Sequence, residues 1–184
     1  LSSPYILIKK DLTIINTKLN VNGSDKFKLQ LGGDLTLSNS ASFTSGFSNL
    51  AELYLFGSAL QTITLNGINL SLNSLTIANS TGISLSNTGG SSNISLSNGS
   101  ANVLKMSGGN IETNGNTITL GSGTTEPGTL SYTSGFITGT GSFSRWFNKS
   151  NLPTSYNYAF PMGSGNNNRG ISILFSNSSI TSGG

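Results

Sequence analysis

The sequence predicts an all-β protein, a parallel β-helix (β-solenoid) with an aromatic-rich β cap or sandwich-like C-terminal module. Three observations point to this fold class. Short bursts of alternating apolar and polar residues run along the chain, turn-forming residues interrupt them every ~8 to 12 residues, and similar bursts recur at intervals of about 20 residues. The alternation predicts strands, the turn-forming residues predict their spacing, and the recurrence predicts repeated coils.

The strand prediction rests on a hydrophobic period close to two, which is typical of strands that bury one face. Each burst carries two or three apolar side chains on one side, and the residue between them is often Ser or Thr. Helical spacing of apolar residues is almost absent, so we expect very little helix. The predicted strands include residues 29–31, 35–37, 53–55, 63–65, 68–72, 75–77, 83–85, 94–96, 104–106, 118–120 and 130–132.

Pairs of turn-forming residues separate the predicted strands. Asn-Gly pairs and Gly-Gly pairs supply the positive φ angles that sharp corners need. Their spacing fits either a sandwich of hairpins or a solenoid whose coils each contain two or three short strands. The pairs lie at residues 22–23, 32–33, 66–67, 89–90, 98–99, 108–109 and 114–115.

Internal similarity favours the solenoid. Residues 63–67 align with 83–87 and 104–108 at offsets of about 20, and residues 75–79 align with 94–98 at a similar offset. Such offsets suit one coil of a parallel β-helix. The composition agrees, because 33 Ser, 20 Thr, 23 Asn and 24 Gly make up 100 of the 184 residues, whereas charged residues are only 8%. Like charges repeated at one coil position would repel each other along the stack.

A change of composition near residue 122 predicts two parts. Nine of the 15 aromatic residues follow that point, together with three of the four prolines. A thin solenoid has little room for so many rings. We therefore expect solenoid coils in residues 1–122, and in residues 123–184 an aromatic-rich terminal β module or wider coils that continue beyond this stretch.

The residue types exclude most catalytic and metal chemistry. The chain contains no His and no Cys, so the commonest general base, the commonest metal ligand and the thiolate nucleophile are missing. The six acidic residues are scattered, and Gly32-Gly33-Asp34 is the single partial match to a calcium-binding solenoid turn, which is better explained as the start of a strand. We expect no enzymatic activity, no bound metal and no cofactor.

The charge distribution bears on partners. The net charge of +3 comes from scattered bases, and only the first 28 residues approach a basic stripe, so nucleic acid is not an expected partner. No apolar run approaches the ~20 residues of a membrane span. The chain begins without Met and ends in Ser-Gly-Gly, and we expect it to be an internal piece of a longer polypeptide.

Several segments, in a fixed order, resemble a known group. The longest is LKMSGGNIETNGNTITLG at residues 104–121, followed by Gly-Thr-Leu at 128–130, SGFITG at 134–139, Arg145-Trp146, the box FPMG at 160–163, and Arg169. Upstream, LGGDLTL at 31–37 and LTIAN at 75–79 belong to the same pattern. Over roughly residues 29–175 the chain resembles the β-helical repeat region of large cell-surface proteins that Bacteroidota export by the type IX secretion system.

The resemblance implies a function and a location. Proteins of this group are displayed at or released from the outer cell surface, and many are long adhesins, including those that serve gliding motility. We therefore expect a non-catalytic stalk in an extracellular adhesin. Its expected partners are an extracellular surface or polysaccharide and other parts of the same large polypeptide.

Aromatic residues of the C-terminal part support an alternative function. Trp146, Tyr156 and Tyr158 are candidates for a platform on which a sugar ring stacks, as in a carbohydrate-binding module of a secreted polysaccharide-processing protein. The other interpretation is that these rings fill the core of the terminal module, because apolar residues alternate there as they do in buried strands. This alternation favours packing in the core, and glycan stacking remains the alternative.

The low charge density predicts a stability that depends little on pH. Few groups can change protonation on unfolding, so the midpoint of thermal unfolding should shift little between roughly pH 5 and pH 9. Thermal melts followed by circular dichroism across this range would measure the shift. A large displacement of the midpoint would contradict the prediction.

Overall fold

The computed structural model describes residues 5–17, 19, 27–39, 41, 50–96, 104–148, 157–165 and 167–175. Within these ranges the chain is all-β: twenty strands are present and no helix occurs. Sixteen of these strands build three parallel sheets, which wind around one core. The predicted β-solenoid is therefore confirmed.

Sheet A forms the first wall of the solenoid. Its six strands pair in parallel, each with the strand of the next coil. In spatial order they are β1 (Tyr5–Ile8), β3 (Phe27–Leu31), β5 (Leu50–Leu55), β8 (Leu75–Ile77), β11 (Leu104–Met106) and β14 (Leu130–Tyr132).

Sheets B and C form the other two walls. The chain passes from sheet A to sheet B in every described coil and, from the third coil onward, continues to sheet C. Sheet B contains β2 (Leu12–Ile15), β4 (Leu35–Ser38), β6 (Gln61–Thr64), β9 (Ile83–Ser86), β12 (Ile111–Glu112) and β15 (Ile137–Thr138). Sheet C contains β7 (Leu70–Leu72), β10 (Asn93–Leu96), β13 (Thr117–Leu120) and β16 (Ser142–Arg145).

The coil length differs from the sequence-based expectation. Paired residues of neighbouring coils are 22 to 29 positions apart, as in Leu53 with Leu75 and Leu75 with Leu104. The offsets of about 20 were wrong because apolar-Ser/Thr-apolar segments occur in all three walls of a coil. Residues 75–77 and 94–96, which aligned in sequence, lie in sheets A and C. The alignment therefore matched strands of different walls.

Stacked aliphatic side chains fill the core. Leu29, Leu53, Leu75 and Leu104 occupy one ladder of sheet A, and each is at most 2% exposed. Sheets B and C contribute similar ladders, so one continuous apolar cluster extends through the described coils. Alternate residues of each strand point outward, which explains why the sequence alternates so regularly.

The glycine pairs serve two different purposes at the corners. Asn114 and Gly115 join sheets B and C with φ angles of 46° and 82°, as predicted for an Asn-Gly corner. Gly108 and Gly109 join sheets A and B without a positive φ, so the expectation was wrong at this pair. A Cβ on Gly109 would lie 2.3 Å from the Gly82 backbone nitrogen. Close approach of successive coils requires glycine there.

One ladder of sheet B contains a buried amide, Gln61, at the position where the later coils have isoleucine. Gln61 is 2% exposed, and its Nε2 donates to the carbonyl oxygens of Leu31 (3.1 Å) and Gly33 (2.6 Å). Its Oε1 accepts from the Gly57 backbone N–H (2.9 Å) and from Asn79 Nδ2 (3.0 Å). The amide is fully hydrogen-bonded, so it ties three consecutive coils together at the A–B corner.

Parallel stacking extends beyond residue 122. Strands β14, β15 and β16 continue the three sheets to Arg145. Two antiparallel pairs follow, β17 (Tyr158–Phe160) with β20 (Ile171–Ile173) and β18 (Gly163–Ser164) with β19 (Asn167–Asn168). The division of the chain into 1–122 and 123–184 stays a prediction about domains.

An aromatic cluster lies at the C-terminal end of the stack, as the predicted cap requires. Phe147 packs edge-on against Tyr158 and Phe175, with ring centroids 4.9 and 5.2 Å apart. Phe143 is in register with Ile118 of sheet C, and its ring centroid lies 5.8 Å from that of Phe160. These rings cover the apolar ladder where the parallel coils end.

Replacing the buried amide tests whether hydrogen bonding or apolar area decides stability in the ladder. Gln61→Leu adds apolar surface but removes the partners of two donors and two carbonyl groups. Since each unsatisfied buried group costs about 1–3 kcal/mol, we expect the free energy of unfolding to fall by at least ~2 kcal/mol. Chemical denaturation measures it, with Ser71→Ala on the exposed face as a control expected within about 0.5 kcal/mol of the unmodified chain. A Gln61→Leu variant of unchanged or higher stability would contradict this role.

Candidate functional site

Two acidic residues act on the backbone of the following coil. Asp11 Oδ1 accepts from the backbone N–H of Asp34 at 2.8 Å, and Asp34 Oδ1 accepts from that of Thr62 at 2.7 Å. Asp34 belongs to the glycine-containing turn that partly matched a calcium-binding pattern. Its described contact is to the protein backbone, where it fixes the start of a sheet B strand.

Glu112 and Glu126 each accept a hydrogen bond from a serine hydroxyl, Glu112 across neighbouring coils and Glu126 within its own loop. Glu112 accepts from Ser84 Oγ at 3.3 Å on the outer face of sheet B, and Glu126 accepts from Ser122 Oγ at 2.6 Å in the loop after β13. Among the described residues, no group of three or more Asp, Glu, His or Cys side chains could hold a metal ion. These ranges also contain no helix long and apolar enough to cross a membrane.

A charged and aromatic cluster occupies the outer face of sheet A. Lys28 Nζ lies 2.9 Å from Glu52 Oε2 and 3.9 Å from the centroid of the Tyr54 ring. Thr76 Oγ1 donates to Glu52. The Phe56 ring stacks on the Tyr54 ring, with 6.2 Å between their centroids. Sequence analysis missed this cluster, because its members come from three coils and meet only in the observed register.

The three candidate glycan-stacking residues have different surroundings. Trp146 follows β16 and is half-buried, with its backbone N–H donating to the Leu120 carbonyl at 3.0 Å. Tyr158 is 8% exposed. Its ring centroid lies 5.5 Å from that of Phe175 and 5.0 Å from the Arg145 guanidinium carbon Cζ. Tyr156 lies outside the described residues. The burial of Tyr158 favours a packing role for that ring, and glycan stacking at these residues stays a prediction.

A groove follows the A–B corner of the later coils. One cavity of about 570 Å³ contains Leu60, Glu112 and Thr138 in its lining, and a neighbouring cavity of about 460 Å³ contains Tyr132 and Ser134. Thr81 and Asn110 line both cavities, so the two cavities adjoin each other. We call the two together the corner groove.

The corner groove combines apolar platforms with fixed polar groups. Leu60 is 52% exposed and Tyr132 is 41% exposed, so both offer apolar surface to a ligand. The Tyr132 hydroxyl donates to the Gly135 carbonyl at 2.8 Å, and Asn110 Oδ1 accepts from the Phe136 N–H at 3.0 Å. These bonds hold the Tyr132 ring and the Asn110 amide in place.

Sequence analysis did not find the corner groove. Leu60 and Tyr132 are far apart in sequence. Leu60 falls between two predicted strands and Tyr132 ends another, so neither position marked a site. The coil register brings Thr81, Asn110 and Thr138 beside them. A correct register was needed to place these residues on one corner, and the sequence-based offsets of about 20 could not supply it.

No protein-family model, curated protein or solved structure matches the chain. The resemblance to type IX-secreted adhesins of Bacteroidota stays a prediction, as do the outer-surface location and the adhesive role. The geometry of the coils and of the corner groove carries the functional proposals that follow.

Proposed function

We propose that this chain is a non-catalytic stalk segment of a large adhesin on the outer surface of a bacterial cell. The observation that carries the proposal is the unbroken parallel stacking of three sheets around one apolar core. Each coil adds only about 4.8 Å of length, so the six strands of sheet A span roughly 24 Å along the stack. A chain organised in this way forms a stiff segment that is short for its number of residues.

The coil architecture suits mechanical load. Every described coil is joined to the next by parallel backbone pairing in at least two sheets, and in three sheets from the third coil onward. Side chains add cross-coil bonds, such as Thr117 Oγ1 with Ser142 Oγ at 2.9 Å and Thr119 Oγ1 to Asn93 Oδ1 at 3.1 Å. Separation of two coils must break these bonds together, and the stack therefore resists bending and extension.

The first described coil presents surfaces that a further coil would cover. Tyr5, Ile6 and Leu7 of β1 are 60%, 41% and 44% exposed, and Ile15 of β2 is 53% exposed. Soluble proteins usually protect edge strands with charge, proline or a covering element. Apolar edge strands at this end support a place for the segment within a longer stack.

The outer faces suit an environment of variable ionic strength. Sheet C presents a column of hydroxyl groups on Ser71, Ser95, Thr119 and Ser144, which lie in register. Uncharged hydroxyls stay hydrated without the salt-dependent repulsion that stacked charges would create. This surface supports display outside the cell.

An antibody against the segment tests the proposed location and parent protein. Blots of intact, protease-shaved and lysed cells of the producing bacterium should reveal a very large band that shaving removes from intact cells. A cytoplasmic enzyme, untouched by shaving until lysis, serves as the control. A modest band released into the medium would contradict the stalk and favour the alternative, a secreted carbohydrate-binding protein. A band that shaving leaves intact would contradict surface display.

A further inference from the structure

We propose that the corner groove binds a segment of a neutral polysaccharide, with the Tyr132 ring as its stacking platform. This inference goes beyond the stalk, because it assigns a ligand class to a particular surface of the coils. It is also independent of cellular location, since binding can be measured with the purified chain. The proposal rests on the platform, the polar groups, the length and the charge of the groove.

The Tyr132 ring is exposed and held in one orientation, as stacking of a sugar ring requires. It is 41% exposed, and the bond from its hydroxyl to the Gly135 carbonyl (2.8 Å) limits its rotation. A pyranose ring presents an apolar C–H face that packs against an aromatic ring, while its hydroxyls remain available at the rim. Because the ring is already held, little conformational entropy is lost when a sugar packs on it.

Polar groups line the cavity that adjoins this platform. Glu112 and Thr138 stand in register on neighbouring strands of sheet B and both face outward. A carboxylate accepts hydrogen bonds from sugar hydroxyls, and a threonine hydroxyl can donate or accept. Asn110 lies between the two cavities, oriented by its bond to the Phe136 N–H. This mixture of a few fixed polar groups with apolar surface is typical of ligand sites.

The groove is elongated along the stack. Its lining begins beside β6 at Leu60 and reaches Ser164, one level beyond β15, as the bridge from Ile137 to Met162 shows. Four steps between neighbouring levels correspond to about 19 Å, since parallel strands are ~4.8 Å apart. Such a length suits several consecutive units of a polymer better than a compact small molecule.

The charge of the groove selects a neutral ligand. Of the described residues in its lining, Glu112 carries a negative charge and none is Lys or Arg. An anionic polysaccharide such as polygalacturonate would place its carboxylates near Glu112 without a cation to compensate. Neutral glucans, mannans and xylans avoid this repulsion.

Native affinity electrophoresis of the 184-residue chain tests the proposal. Gels would contain hydroxyethylcellulose, laminarin, galactomannan or arabinoxylan as neutral probes, and polygalacturonate as the anionic probe. We expect at least one neutral probe to retard the protein and polygalacturonate to leave its mobility unchanged. Absence of retardation by all four neutral probes would overturn the proposal, and so would retardation by polygalacturonate alone.

Matched substitutions locate the binding surface. Tyr132→Ala should weaken retardation by about tenfold in apparent affinity, whereas Tyr5→Ala, which removes another exposed tyrosine ring at the opposite end of the stack, should leave it unchanged. Glu112→Gln should weaken it several-fold, and Glu126→Gln, outside the groove, should not. Thermal melts of each variant test whether the fold is retained. If Tyr132→Ala fails to fold, the comparison of Glu112→Gln with Glu126→Gln still tests the corner groove.

A further variant separates this surface from the C-terminal rings. If Trp146→Ala abolishes retardation while Tyr132→Ala has no effect, binding belongs to the aromatic cluster and the corner groove proposal is wrong. Unaltered binding by both Tyr132→Ala and Glu112→Gln would overturn it as well. Neither result would bear on the stalk, which the surface-exposure experiment tests separately.

Discussion

In-register pairing of each coil with the next is the constraint on which the rest of the structure depends. Parallel strands stack residue on residue, so a side chain that suits one coil must suit its neighbours. Aliphatic ladders such as Leu53, Leu75 and Leu104 satisfy this inside the stack, and hydroxyl columns satisfy it outside. The scarcity of charged residues and the abundance of Ser, Thr and Asn follow from the same requirement.

Distinctive chemistry occurs at positions where the type of residue in a ladder changes from one coil to the next. Gln61 occupies the position that isoleucine fills in the later coils, and it binds the backbone of neighbouring coils at the A–B corner. The same corner, two to three coils further on, carries Asn110, Glu112 and Tyr132 around the corner groove. Arg145 stands above Leu120 at the end of a sheet C ladder and donates from Nη1 to the Ala159 carbonyl at 3.1 Å, where the antiparallel strands begin. A stalk can thus carry a binding surface without losing its repetitive core.

The sequence predicts local structure well and long-range register poorly. Alternation of apolar residues located the strands, and the Asn114-Gly115 pair has the positive φ expected of a corner. The coil offset failed because the same short motif occurs in all three walls, so that residues 75–77 resembled residues 94–96 without stacking on them. The corner groove depends on that register, since Leu60 and Tyr132 come to line adjoining cavities only when several coils are correctly stacked. The C-terminal rings were recognisable from composition, but the packing of Tyr158 against Phe147 was not.

Paired cysteines test the coil register most directly, because the natural chain contains no Cys. Ser71 and Ser95 are partners on neighbouring strands of sheet C, at a spacing of about 4.8 Å that a disulfide can bridge. The double variant Ser71→Cys with Ser95→Cys should therefore form an intramolecular disulfide readily under mild oxidation. Thr76→Cys with Ser95→Cys, the pair that the sequence-based offset would align, should stay reduced because its members lie in different walls. Efficient cross-linking of the second pair and none of the first would contradict the stacked architecture described above.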